Sequence, residues 1–139
     1  MTSIGVKMSK RNKITPVEWE IMESVWSLGN RTTARDVYDH AFPHGEKAYT
    51  TVQTILNNLH SKGMLKREKI GMVNFYTPKK SRKNMVKSEF AFFLSRVFDG
   101  SIQALADFLM DSDNLDMKDL EAIKMLVDKK EKELKANSE

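Results

Sequence analysis

Cysteine is missing from all 139 residues, which excludes a disulfide framework, a thiolate zinc or copper site and a cysteine nucleophile. Proline occurs three times and glycine six times, and several of these residues punctuate the chain between elements. No uninterrupted apolar run reaches membrane-spanning length, and no charged-then-apolar leader opens the chain. The expectation is a soluble, cytoplasmic protein with no direct membrane binding. No Ser/His/Asp grouping, phosphate-cradling glycine loop or paired-carboxylate motif stands out, so the reading is not an enzyme and needs no cofactor. The acidic run Asp107, Asp111, Asp113, Asp116 and Asp119 lacks calcium-loop spacing and reads as caps and turns. His40 and His44 are separated by Pro43 and have no third ligand nearby, so no metal site is assigned.

What is present is an ordinary hydrophobic fraction of 40% and a charged fraction of 30%, enough for one compact domain with an appended helical element. The charge is uneven. Residues 1–80 carry 13 Lys and Arg against 7 Asp and Glu, a net of +6, while residues 81–139 carry 10 against 12, a net of −2. A basic front half suits a polyanionic partner and a mildly acidic back half suits some other task.

Residues 1–13 lack apolar periodicity and read as a basic arm, with Lys10, Arg11 and Lys13 available to phosphates or the minor groove. Thr15-Pro16-Val17-Glu18 is a capping box with proline at the first helical position. Trp19, Met22, Val25 and Trp26 supply the first helix's buried stripe, and Gly29 stops it. Thr33 to Asp36 repeats the cap for a short second helix with Val37, Tyr38 and Ala41 inward. Pro43 and Gly45 then turn the chain.

The stretch Ala48 to Gly63 organises the rest. Val52, Ile55, Leu56 and Leu59 fall at i, i+3, i+4 and i+7, one face of an amphipathic helix over about residues 48–62. The opposite face holds Thr50, Gln53, Thr54 and Asn57, with Thr51 and Asn58 beside them. It is polar yet uncharged, whereas solvated helix faces usually carry Glu and Lys. Asn and Gln can pair bidentately with adenine and Thr can meet a thymine methyl. The same pattern would also suit a core helix with a polar solvent face, so this stretch alone leaves both readings open.

After Gly63 the period becomes two. Leu65, Arg67 and Lys69 alternate with Lys66 and Glu68, and Val73 and Phe75 alternate with Asn74 and Tyr76, around a turn at Ile70-Gly71 and up to Pro78. Three helices and a basic hairpin predict a winged helix-turn-helix over residues 14–80. Thr50, Thr51, Gln53, Thr54, Asn57 and Asn58 are the base-reading candidates. Lys47, Lys62, Arg67 and Lys69 are the phosphate candidates.

Beyond Ser81 three more helices follow: Arg82 to about Phe98, one capped by Ser101, and one capped by Asp116 with Asp119 at its third position. Their apolar surface is too wide for one neighbouring helix. Residues 81–134 are therefore assigned to homodimerisation through Phe90, Phe93, Leu94, Val97, Ile102, Leu105, Leu109, Ile123 and Val127. A small intramolecular bundle is the alternative. Residues 135–139 read as a frayed tail. The fold class is mainly α with a small β-hairpin wing.

Glu18-Trp19-Glu20-Ile21-Met22-Glu23-Ser24-Val25-Trp26-Ser27-Leu28-Gly29 resembles the first helix of the BlaI/MecI-type penicillinase-repressor family. Tyr49 to Leu59 with Lys62-Gly63 resembles its recognition helix, Arg67 to Pro78 its wing, and Leu94 to Ser101 its junction between helices four and five. The resemblance covers about residues 14–134. It implies a homodimeric winged-helix repressor on a pseudo-palindromic double-stranded operator, often of TACA/TGTA type. It also implies release by a membrane sensor-protease system, with cleavage at an Asn-Phe bond in helix five. The matching pair here is Asp107-Phe108, a departure from that pattern. The clustered cysteines of the family's copper-responsive branch are absent, and Ile70 and Met72 replace frequent charges at the wing tip. Two other functions stay open: a winged-helix protein-interaction module and a small-molecule-responsive regulator.

Overall fold

The protein, viewed in a computed structural model, is described over residues 13–138. Lys10 and Arg11 of the expected basic arm lie outside the described residues. Helix α1 (Pro16–Leu28) opens on a complete capping box: the Glu18 amide donates to the Thr15 hydroxyl and the Thr15 amide donates to the Glu18 carboxylate. Two orphan amides are thereby satisfied reciprocally. Helix α2 (Ala34–Ala41) uses Thr33 and Asp36 in the same way. Helix α3 (Tyr49–Ser61) follows without a side-chain cap at Ala48.

Ile21, Met22 and Val25 of α1, Val37 of α2, and Val52, Leu56 and Leu59 of α3 are fully buried in one core, with Ile55 nearly so. The α3 stripe is the expected one, but the α1 stripe is shifted. Ile21 joins Met22 and Val25, while Trp19 and Trp26 are half-buried and stack edge-to-face with centroids 5.5 Å apart. Indoles carry a polar N–H that prefers the margin of a core. That of Trp26 donates to the Lys80 carbonyl at 3.0 Å, and that of Trp19 to Glu23.

The sheet has three strands in the order β1-β3-β2 rather than two. Strand β1 (Thr32–Thr33) pairs antiparallel with β3 (Val73–Pro78), setting Thr32 opposite Tyr76 and Thr33 opposite Phe75. A two-residue strand is too short for any alternation to announce it. Strand β2 (Leu65–Ile70) pairs with β3 from Leu65–Pro78 out to Ile70–Val73. The wing turn is Gly71-Met72, with Gly71 at φ +65° and Met72 at negative φ. That is the two-residue turn whose twist suits a hairpin and whose first position favours glycine. Along β3 the inward residue is Tyr76 at the hairpin base, whereas Val73 near the tip is exposed.

Helices α4 (Arg82–Phe98), α5 (Ile102–Met110) and α6 (Met117–Asn137) complete the chain. Ser101 and Asp116 cap α5 and α6 as expected, and Ser81 caps α4. The helix of α6 continues through the segment read as a frayed tail and ends at Asn137. Its capping box and a run of Lys and Glu, both good helix formers, sustain it. The start of α4 is tied to α1 by Arg82, whose guanidinium forks onto both Glu23 carboxylate oxygens at 2.8 and 3.1 Å. These hydrogen bonds hold the Glu23 carboxyl below the usual carboxylate range.

Only Met85, Ala91 and Leu94 of α4 are buried, and α5 and α6 bury no residue at all. Leu94, grouped with the intersubunit residues by its spacing, is fully buried within the chain and is removed from that set. Ala91, one turn before it, is buried as well, whereas Phe90, Phe93 and Val97 are exposed.

Candidate nucleic-acid interface

The exposed side of α3 displays Thr50, Gln53, Thr54, Asn57 and Asn58, with Thr51 half-buried at its margin. No acid and no base interrupts this surface. Its position follows from the opposite side: four buried aliphatic residues anchor the helix, each contributing about 1.5–3 kcal/mol by burial. The polar side chains on the far face therefore project together. Thr54 turns its hydroxyl back to donate to the Thr50 carbonyl at 3.0 Å, a bond within the helix.

The wing stands beside this helix. Between them runs a concave groove of about 430 Å³ lined by Arg35, Tyr49, Gln53, Asn57, Asn74 and Tyr76, with Met72 at its outer end. Arg35 was not among the sequence candidates, yet the fold brings it to the same groove as Gln53 and Asn57. Its guanidinium lies 4.5 Å from the Tyr49 ring centroid and 5.5 Å from that of Tyr38, with Asp39 at 3.7 Å. Arg31 was also missed. It pairs with Glu68 at 3.2 Å and lies over Phe75 at 5.3 Å, fastening the wing to the α1–α2 connection.

The cationic candidates separate into two groups. Lys47 and Lys69 are exposed, Lys47 with its ammonium 6.0 Å from the Phe42 ring centroid. Lys13 is also exposed, and its carbonyl accepts from the Lys62 ammonium at 2.8 Å. Lys62 and Arg67 are engaged by other side chains, Lys62 largely buried and Arg67 exposed. Lys62 Nζ pairs with Glu18 Oε1 at 2.6 Å, and the side chains of Lys62 and Glu18 keep only 19% and 5% of their exposure. A cation held this way by a near-buried carboxylate is an internal staple, which corrects its expected phosphate role. Arg67 donates through Nη1 to Asn57 Oδ1 at 3.1 Å. Its guanidinium thus orients a base-reading candidate, while the exposed side chain keeps further N–H donors.

Tyr76 completes this arrangement. Its ring is 3% exposed and its hydroxyl donates to Asn57 Oδ1 at 3.0 Å. The signal for Tyr76 was the amphipathic character of tyrosine, a buried ring whose hydroxyl needs a partner. The alternation Val73-Asn74-Phe75-Tyr76 concealed it, because two adjacent aromatics leave the inward parity ambiguous.

His40 and His60 are occupied locally. His40 Nδ1 lies 3.0 Å from the Ser24 hydroxyl, and His60 Nδ1 donates to the Leu65 carbonyl at 3.2 Å. Asp107 and Phe108 lie in the helical body of α5, with Phe108 largely exposed. No described helix is long and apolar enough to cross a membrane.

The chain is 24% identical over 121 residues to the penicillinase repressor of Bacillus licheniformis, across 87% of this chain and 94% of that one. It is 29% identical over 98 residues to the transcriptional regulator BlaI of Mycobacterium tuberculosis, across 70% and 71% of the two chains. An uncharacterised 16.5 kDa protein of Latilactobacillus sakei is 42% identical over 66 residues; the match spans 48% of this chain and less than half, 44%, of that relative. The solution structure of the DNA binding domain of the repressor BlaI is also similar, at 28% identity and a TM-score of 0.47, covering 55% of this chain and 93% of that one. The family profile described as penicillinase repressor matches residues 14–129, and the chain belongs to that family.

Proposed function

We propose that this protein is a homodimeric transcriptional repressor that binds a pseudo-palindromic operator in double-stranded DNA. Residues 14–80 read the site and residues 81–134 join two copies. The observation that carries the reading is the exposed, uncharged Thr/Gln/Asn face of α3 beside a basic hairpin. Helix α3 enters the major groove, where Thr50, Thr51, Gln53, Asn57 and Asn58 meet base edges and the outward methyl of Thr54 meets a thymine methyl. Lys47, Lys69 and Arg35 serve phosphates, which position the protein without specifying sequence. Lys10, Arg11 and Lys13 add contacts from the arm.

Repression needs no chemistry: a dimer on a promoter excludes polymerase by occupancy, in the cytoplasm where the DNA lies. The family's sensor-protease route would act on α5 at Asp107-Phe108. A helical peptide bond must first open locally to enter a protease, so the route would act on a partly unfolded α5.

Selection of bound sequences from a random duplex pool tests the whole reading. The expected result is a two-fold symmetric motif with half-sites about one helical turn apart, and an affinity that falls steeply with salt. An unstructured pool with salt-insensitive retention would favour a protein-interaction module instead.

The wing tip makes a separate prediction. Met72 is 92% exposed and flanked by exposed Ile70 and Val73, so the tip offers no cation to the backbone. Met72→Lys should tighten binding to every duplex sequence alike and steepen the log–log salt slope by about one. Fluorescence anisotropy titrations across a salt series measure both; an unchanged slope would remove the wing tip from the DNA interface.

A further inference from the structure

Among the described residues, Asn57 is the one base-reading candidate gripped by other side chains. Arg67 and Tyr76 face each other across the β2–β3 pair, and both donate to the same atom, Asn57 Oδ1, at 3.1 and 3.0 Å. A guanidinium carries donors only. The oxygen of the Asn57 amide must therefore face the wing, which fixes the amide plane. Both lone pairs of that oxygen are taken, while Nδ2 has no partner among the described residues and points away from the wing with two donors.

From this geometry we infer that Arg67 and Tyr76 make Asn57 a donor-only reader, so that α3 selects against adenine at the base pair Asn57 meets. The inference rests on α3 reading DNA as proposed above. Bidentate pairing of asparagine with adenine needs Oδ1 to accept from N6 while Nδ2 donates to N7. Here Oδ1 is already filled. What remains fits bases that present acceptors alone in the major groove: guanine, through N7 and O6, or thymine, through O4. Cytosine presents a donor there and meets Nδ2 with like polarity. Arg67 and Tyr76 are positioning residues. Neither needs to touch the base, and both act through the amide they orient.

The choice of amide orientation is a long-range decision. Tyr76 lies 19 residues from Asn57 and Arg67 lies 10. Read on its own, the helix offers an asparagine free to flip and to pair with adenine. Packed against the wing, it offers half of that capacity.

The test uses the full-length protein and duplexes carrying each base pair at the position whose preference Asn57→Ala relaxes. Wild type is expected to bind guanine or thymine best there, and replacing an adenine at that position by purine, which lacks the N6 amino group, should leave its affinity unchanged. Replacing a guanine by 7-deazaguanine should weaken wild type several-fold. The double variant Tyr76→Phe/Arg67→Met frees Oδ1 while keeping the buried ring and the aliphatic stem. Its adenine-to-guanine affinity ratio should rise about tenfold, and it should become sensitive to removal of N6.

Tyr76→Phe alone, which leaves the ring packed, should move the ratio in the same direction by less. Because the readout is a ratio between duplexes, a general loss of stability does not move it. An unchanged ratio in the double variant, a wild type that prefers adenine through N6, or no position relaxed by Asn57→Ala overturns the inference. If wild type binds no duplex in a salt-sensitive manner, the DNA-reading assignment itself fails, and that outcome is seen before any variant is compared.

Discussion

Glutamate at both Leu126 and Val127 is expected to convert the protein to a monomer and to lower its operator affinity on the order of 10²–10⁴-fold. These side chains are 65% and 52% exposed on α6, a helix that buries nothing within its own chain. Glutamate is a good helix former, so α6 itself should persist. The affinity loss arises because a dimer's second half-site engages as an intramolecular event, whereas a monomer must bind each half-site from solution. Phe90, Phe93, Val97, Ile102, Phe108 and Leu109 on α4 and α5 are exposed too, and large apolar side chains left uncovered together mark interaction surfaces. Sedimentation equilibrium and a titration on the selected operator check the two halves of the prediction. A variant that remains dimeric would place the junction elsewhere, and a monomer with undiminished affinity would separate dimerisation from DNA binding.

The second large effect concerns stability. Glu18→Ala should destabilise the winged-helix region on the order of 3 kcal/mol, discounting the range for breaking a buried pair because Lys62 keeps some exposure. The mutation removes two things at once. It deletes the capping-box side chain that accepts from the Thr15 amide at 2.9 Å, and it leaves the Lys62 ammonium without its carboxylate. Capping alone accounts for about 1 kcal/mol. The remainder comes from a cation that is 19% exposed and, among the described residues, keeps only the Lys13 carbonyl as a partner. Urea denaturation measures the sum, and a loss limited to the capping share would mean that the ion pair adds no stability.

Lys62→Met supplies the control on function. Its effect on the salt slope of DNA binding should be nil, since the ammonium faces Glu18, while Lys69→Ala should make the slope shallower by about one.

Both predictions depend on contacts of different reach, and the same difference explains which features the sequence disclosed. The aliphatic stripe of α3 appeared in the structure at Val52, Ile55, Leu56 and Leu59 because helical periodicity is a property of neighbouring turns. The caps at Thr15, Thr33 and Asp116 were equally legible, since a capping box closes over three residues. Strand β1 was not, because two residues acquire a strand's identity only from the pairing of Thr32 and Thr33 with β3. Leu94 shares the hydrophobicity of Phe90 and Phe93, and only the packing of α4 shows that it points inward.

By itself, then, the sequence determined the order of the helices and the hairpin, the capped helix starts, the dry and polar faces of α3, and a basic front half. These follow from backbone periodicity, local hydrogen bonding and composition, which act within a few residues. Only the tertiary structure decided what the polar side chains were free to do. It turned Lys62 toward Glu18, 44 residues away, brought Arg35 to the groove, and aimed both Arg67 and Tyr76 at Asn57. A side chain's chemical type is written in the chain, but its unspent donors and acceptors are known only once distant partners have claimed theirs. For the proposed reading face of α3, that difference separates an asparagine able to pair with adenine from one that can only donate.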